Sequence, residues 1–324
     1  MNFEYLVSNE IDYARIGHFI NNMPSNRGVY IGVGPDQNFS YIAGVQPVIS
    51  FIVDYRRENL LLHHLFRVLF LLSGSREEYL TMLFSRPFNG EDSSDDRTLG
   101  QLIEYIERTA ADPKRMERNL SLILPRVIDT TKGLSSDDIL IIREMYRDFS
   151  QYDLNLRCRL PTVTSGGLPY PTFKDFLLSG DDPAVFGNFL ANGSSFEFIK
   201  QQQSQNLIVP ITGDFSGRKT LSAIKSFCQE RELGVACIYI SSVEYRLFNE
   251  GLFHRYVSNI SDLPLNENSL LIRAHYNKPE ACHPEQIDGE LFTTIVQKTD
   301  SFIEHHRSNA YKTYFDVGSV DYLR

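Results

Sequence analysis

Residues 28–54 read GVYIGVGPDQNFSYIAGVQPVISFIVD, and this run constrains the fold more than any other part of the chain. Val29, Tyr30 and Ile31 give a β-branched and aromatic strand signal, and Gly32-Val33-Gly34-Pro35 forces a turn directly after it. Glycine at such a turn lets the backbone approach a neighbour closely. Asn38 can cap a short helix over 39–43 that Gly44 stops, and Pro47 precedes a second apolar run over 48–53. Asp54 then stands at the carboxyl end of the second strand. In an open α/β sheet that edge is where ligands bind, and an acid about 20 residues beyond a glycine turn can accept hydrogen bonds from both hydroxyls of a ribose. The spacing from Gly34 to Asp54 fits.

A second α/β signature lies far downstream. The run Asn206 to Asp214, NLIVPITGD, is a short apolar strand closing on Gly-Asp, and 216–232 has helical spacing with Leu221, Ile224 and Phe227 on one face before Gly234. Residues 235–240 form the next strand, and segments at 252–260 and 270–275 continue the alternation. The end of the chain is expected to add a helix over 291–305 and a last strand over 311–317. Between the two α/β parts, helical periodicity dominates, with helices expected at 60–72, 76–84, 99–108, 116–128 and 136–149. Residues 89–96 read as a charged loop, and 161–171 as a long irregular one. The expected organisation is an α/β core formed by 1–58 and 206–324, with a mainly helical insertion over 59–205 after the second strand.

Composition bounds the function classes. The 324 residues carry a formal net charge of −9, so phosphate backbones are repelled on average and non-specific binding to nucleic acid is disfavoured. No segment approaches the roughly 20 apolar residues of a membrane span, and the first residues lack a basic end followed by an apolar run, so cytoplasmic residence is expected. Cys158, Cys228, Cys237 and Cys282 have no C-x-x-C spacing, which indicates neither a zinc site nor a disulfide framework. Neither a phosphate-binding G-x-x-x-x-G-K-[ST] loop nor a G-x-S-x-G nucleophile elbow occurs.

The departures of the turn narrow the ligand. In a dinucleotide turn, G-x-G-x-x-G, the third glycine would fall at Gln37, whose side chain obstructs helix–strand packing beside a pyrophosphate. The segment resembles instead the first motif of class I S-adenosylmethionine-dependent methyltransferases: hydrophobic strand, G-x-G turn, and an acid ending the second strand. GVGPDQNFSYIA, FIVDYRREN and VPITGDFSG are similar to a bacterial family with this methyltransferase-like fold. The resemblance implies a Rossmann-like, mostly parallel sheet and S-adenosyl-L-methionine bound by Gly32, Gly34, Asp54 and Asp214, with methyl transfer to a small molecule. Asp214 would then contact the adenine amino group; as a strand-end residue it can equally cap the next helix. The family's usual third glycine falls at Asp36, so Asp36, Gln37 and Asn38 set a polar triplet at the methionine end, where they either hold its ammonium and carboxylate or mark altered binding.

Residues for the transfer itself are less marked. Glu244 is placed to accept a proton from a nucleophile and Tyr245 to align it, or Glu244 opens a helix and Tyr245 packs on the core. Arg56 and Arg57 can bind an anionic substrate or form a solvated pair at the rim. His63 lies near the crevice, while His63 with His64, adjacent on a helix and about 100° apart, cannot easily share a metal. The alternative function is a non-catalytic module that binds a nucleotide or a partner on the same fold.

Overall fold

The computed structural model describes residues 3–23, 28–88, 97–160, 169–179, 187–277 and 282–323. The expected charged loop at 89–96 and residues 161–168 of the expected irregular loop lie outside these. Six strands form one sheet: β1 (Val29–Gly32), β2 (Ile49–Asp54), β3 (Ile208–Thr212), β4 (Val235–Tyr239), β5 (Leu265–Tyr276) and β6 (Phe292–Lys298). Their order is β3-β2-β1-β4-β5-β6; all neighbours are parallel except β5 and β6. Every residue of β1 and β4 is buried, which is why both read as continuous apolar runs without alternation. Pro210 is tolerated in β3 because β3 is an edge strand.

The chain leaves β1 toward β2 on one side and later returns to pair β4 on the other. Right-handed crossovers therefore place the first helices and the later ones on opposite faces. On one face, α2 (Gln37–Val45) packs against β1 and β4, and α3 (Arg57–Leu72) against β2 and β3. On the other lie α10 (Thr220–Glu230), whose Phe227 meets Phe51 of β2 at 5.2 Å, α12 (Phe253–Ser261) and α13 (Thr299–Arg307). Between β2 and β3 the chain makes α3, α4 (Arg76–Leu83), α5 (Leu99–Arg108), α6 (Pro113–Thr130), α7 (Ser136–Tyr152), α8 (Phe173–Leu178) and α9 (Gly193–Ser204). Capping boxes at Thr98 with Gln101 and at Ser135 with Asp138 fix the starts of α5 and α7. Phe39 of α2 joins the layers. Its ring centroid lies 5.3–5.6 Å from those of His63, Phe66, Phe70 and Phe189.

Several elements differ from expectation. Helix α2 begins at Gln37 without a side-chain cap, contains Gly44, and ends at Gln46 in the left-handed region. Helix α10 starts only at Thr220, because Asp214 and Ser216 first form a local turn. At the chain end, the expected helix over 291–305 is helical only from Thr299, in α13; 292–298 is strand β6, and 314–319 is a helix, α14 (Tyr314–Ser319), in place of the expected strand. The β-branched run Thr293-Thr294-Ile295-Val296 pairs with β5, and a capping box at Thr313 with Asp316 nucleates α14. Helices α8 and α9 were not expected from the sequence. In α9 the glutamine-rich stretch masks the apolar face on which Phe196 and Ile199 are buried.

The packing of Phe39 sets a stability test. Replacing this fully buried ring by alanine should cost about 3–5 kcal/mol in chemical denaturation. Leu122→Ala, at a 55 % exposed position on α6, should change stability by less than about 0.5 kcal/mol.

Candidate functional site

The strand order reverses between β1 and β4, so the carboxyl ends of these two strands form the topological switch point of the sheet. The turn after β1 is held from within by Asn38. Its Nδ2 donates to the carbonyls of Val33, Gly34 and Pro35 at 2.8–3.1 Å, and its Oδ1 accepts from the Tyr30 hydroxyl at 2.9 Å. A Cβ on Gly32 would lie 1.9 Å from that Oδ1, and Gly34 adopts a φ of +80°. These two requirements account for both glycines. His63 supports the turn from α3: its Nε2 lies 2.9 Å from the Gly34 carbonyl and donates to it. Burial lowers the His63 pKa to about 4, which keeps the ring neutral. His63 is therefore a buried brace rather than a substrate contact, and Asn38 faces the turn rather than a ligand.

Asp36 and Gln37 are likewise directed into the protein, toward the N-terminal segment 3–10. The Ser8 amide donates to Asp36 Oδ1 at 3.2 Å, and the Ser8 hydroxyl bonds Gln37 Oε1. Glu10 from the same segment reaches the end of β4. Its carboxyl accepts from the Tyr239 hydroxyl at 2.6 Å, from the Ser241 hydroxyl, and from Gln37 Nε2 at 3.5 Å. Ser241 holds a left-handed φ of 53°, an uncommon conformation for a residue with a Cβ. Burial raises both Glu10 and Asp36 to a pKa of about 7. Glu10 carries no signal in the sequence, because it lies in a short irregular segment with no periodicity and meets the site only through contacts 27 to 231 residues distant.

The acid at the end of β2 is occupied by its own neighbour. Asp54 accepts from Arg56 Nε at 3.1 Å and Nη2 at 2.8 Å, and from the Arg56 amide at 2.9 Å. The Arg56 guanidinium lies 4.5 Å above the Tyr5 ring, and Tyr5 in turn stands 3.2 Å from where a Cβ of Gly34 would be. Asp214 reaches the same edge: the Gly213 amide donates to the Asp54 carbonyl at 2.8 Å, and Asp214 lies 3.7 Å from Arg246. Asp214 also accepts from the amide and hydroxyl of Ser216. Arg57 does not face the edge, because its Nε and Nη2 donate to the Asp138 carboxylate of α7 at 2.7–2.8 Å. Nor is Glu244 a free proton acceptor. It lies in a short helix, α11 (Val243–Asn249), and forms a fully buried pair with Arg273 of β5 at 2.7 Å. Tyr245 packs among Tyr276 and Tyr314.

Two clefts flank the N-terminal segment. One, of about 390 Å³, is lined by Phe3, Tyr5, Tyr55, Arg56 and Asn59 among others. Both polar atoms of the buried Asn59 carboxamide lack a hydrogen-bond partner. The other, of about 380 Å³, is lined by Asn9, Ile11, Arg157, Tyr170, Glu290 and their neighbours. Among the described residues no group of three or more His, Cys, Asp or Glu side chains is placed to hold a metal ion, and no helix is long and apolar enough to cross a membrane.

Two outcomes follow from these groups. A carboxyl whose pKa is raised in the folded state contributes stability below its unfolded pKa and loses it as pH rises through the folded value. Relative to a Glu10→Gln, Asp36→Asn double variant, in which His63 is unchanged, the natural chain should therefore lose stability from about pH 5 to about pH 8 in urea denaturation. Glu244→Ala strands a buried arginine and should cost about 3–5 kcal/mol by the same measurement.

A search of curated proteins finds no significant match. A family described as a domain of unknown function, DUF7790, matches residues 5–96 and 177–317. The match takes in the N-terminal segment from Tyr5, the whole sheet, α3 and α4, and passes over α5, α6 and α7. Since it spans more than half of the chain, the protein belongs to the DUF7790 family.

Proposed function

We propose that the protein binds S-adenosyl-L-methionine at the carboxyl edge of β1, β2 and β4 and serves methyl transfer to a small-molecule acceptor. One observation carries this reading. The reversal of strand order puts the Gly32–Gly34 turn at the switch point, and the acid ending β2 and Asp214 after β3 lie along the same edge. That is the arrangement the resemblance to class I methyltransferases requires.

The chain as described does not fit the cofactor without movement. Tyr5 covers Gly34, and Arg56 holds both Asp54 oxygens. On this reading the conformation is a closed one, and admission of the ligand displaces the side chains of Tyr5 and Arg56. The second reading, a binding module without catalysis, is favoured by the Glu244–Arg273 pair, which removes the acid expected to take up a proton.

Isothermal titration calorimetry tests the proposal. S-adenosylmethionine or its demethylated product should bind the intact chain, and Asp54→Ala should weaken that binding. Absence of binding to the natural chain removes the proposal. Binding without any methyl acceptor consumed across a panel of small nucleophiles supports the second reading.

A further inference from the structure

Six carboxyl groups are buried among the described residues: those of Glu10, Asp36, Asp54, Glu77, Asp138 and Glu244. Four are matched by an arginine within 2.9 Å, namely Asp54 by Arg56, Glu77 by Arg97, Asp138 by Arg57 and Glu244 by Arg273. Glu10 and Asp36 have no such partner. Their hydrogen-bond donors are neutral: hydroxyls of Tyr239 and Ser241 and the Gln37 amide for Glu10, and the Ser8 backbone for Asp36. Asp36 Oδ2 has no hydrogen-bond partner at all, although the residue is only 1 % exposed. A buried carboxyl without a compensating cation is costly to ionise, and proteins resolve that cost with a fixed counter-charge or a proton. This chain supplies the counter-charge at four sites and withholds it at the two that sit on the switch point.

We infer that Glu10 and Asp36, joined through Ser8 and Gln37, form a recognition site for the positively charged end of an organic ligand, an ammonium or a sulfonium. The inference rests on the reading that this edge binds a ligand, and it fixes that ligand's charge. Titratable groups facing the pair are Tyr5, Tyr30, Tyr41, Tyr239, Tyr314 and Cys158 around Glu10, and Tyr79 beside Asp36. Burial raises the pKa of each, which keeps all of them uncharged, so none adds a further negative charge beside the two carboxyls. An anionic ligand would face two carboxyls with no cation to offset them. The segment that carries Ser8 and Glu10 separates the two clefts, with Phe3 and Tyr5 lining one and Asn9 and Ile11 the other.

Binding of a cation should drive both carboxyls to the ionised state and release protons. Near pH 7 each is about half protonated, so about one proton per ligand should be released. Calorimetry of the natural chain with S-adenosylmethionine, repeated in buffers of different ionisation enthalpy, reads this directly and needs no variant. In parallel, Glu10→Gln and Asp36→Asn should weaken S-adenosylmethionine roughly tenfold or more while leaving the uncharged 5′-methylthioadenosine unaffected. S-adenosylmethionine bound without proton release, or equally well by the amide variants, overturns the inference and leaves the cofactor reading standing. If neither nucleoside binds, the cofactor reading fails. Spermidine and choline then serve as probes: binding that releases protons and depends on Glu10 and Asp36 sustains the inference, and no binding of either overturns it.

Discussion

The carboxamide of Asn38 is the interaction on which the switch point depends. A single side chain takes three consecutive carbonyls of the turn after β1 and returns its own oxygen to Tyr30. Any side chain on Gly32 would collide with it, so the tight turn and the first strand are specified together. Once that turn is fixed, Asp36 and Gln37 are directed inward at the start of α2. The N-terminal segment then completes the structure by supplying Ser8 and Glu10. His63 reinforces the same turn from α3, the element that also carries Asn59 to the neighbouring cleft.

Charge is distributed with a consistent logic around this centre. Arginines from different elements neutralise buried acids and tie parts of the chain together: Arg57 at the start of α3 to Asp138 on α7, and Arg273 on β5 to Glu244 on α11. Removing one member of such a pair strands a charge, so these contacts specify geometry more than they add stability. The exception lies where the sheet reverses, and there the acids are balanced by hydroxyls and amides alone.

The strands and long helices were legible because their signals are local. Residues 99–108 combine a Thr98 cap with an apolar stripe at Leu102, Ile103 and Ile106, and the helix found has those bounds. Asp54 was legible as a strand end because an apolar run stops there. The occupancy of its carboxylate was not, although Arg56 is only two residues away, because a neighbouring arginine reads equally as a solvated charge. Glu244 reads either as a proton acceptor or as the opening of a helix, and its ion pair was not legible for a related reason. Its partner Arg273 is 29 residues distant and adjacent only because β5 pairs with β4. The start of the chain-end helix, 292–298, is a strand instead because so short an apolar run does not let periodicity separate a buried strand from a buried helix, and only pairing with β5 decides it.

We infer that the two buried carboxyls at the switch point, Glu10 and Asp36, are reserved for a cation from outside the chain. A carbon-13 NMR titration of the side-chain carboxyls tests it most directly, with the signals assigned through Glu10→Gln and Asp36→Asn. Midpoints of about 7 are expected for both groups in the free protein, with displacement of both to lower pH when S-adenosylmethionine or another organic cation is added. Midpoints in the ordinary carboxylate range, unmoved by any cation, would contradict it.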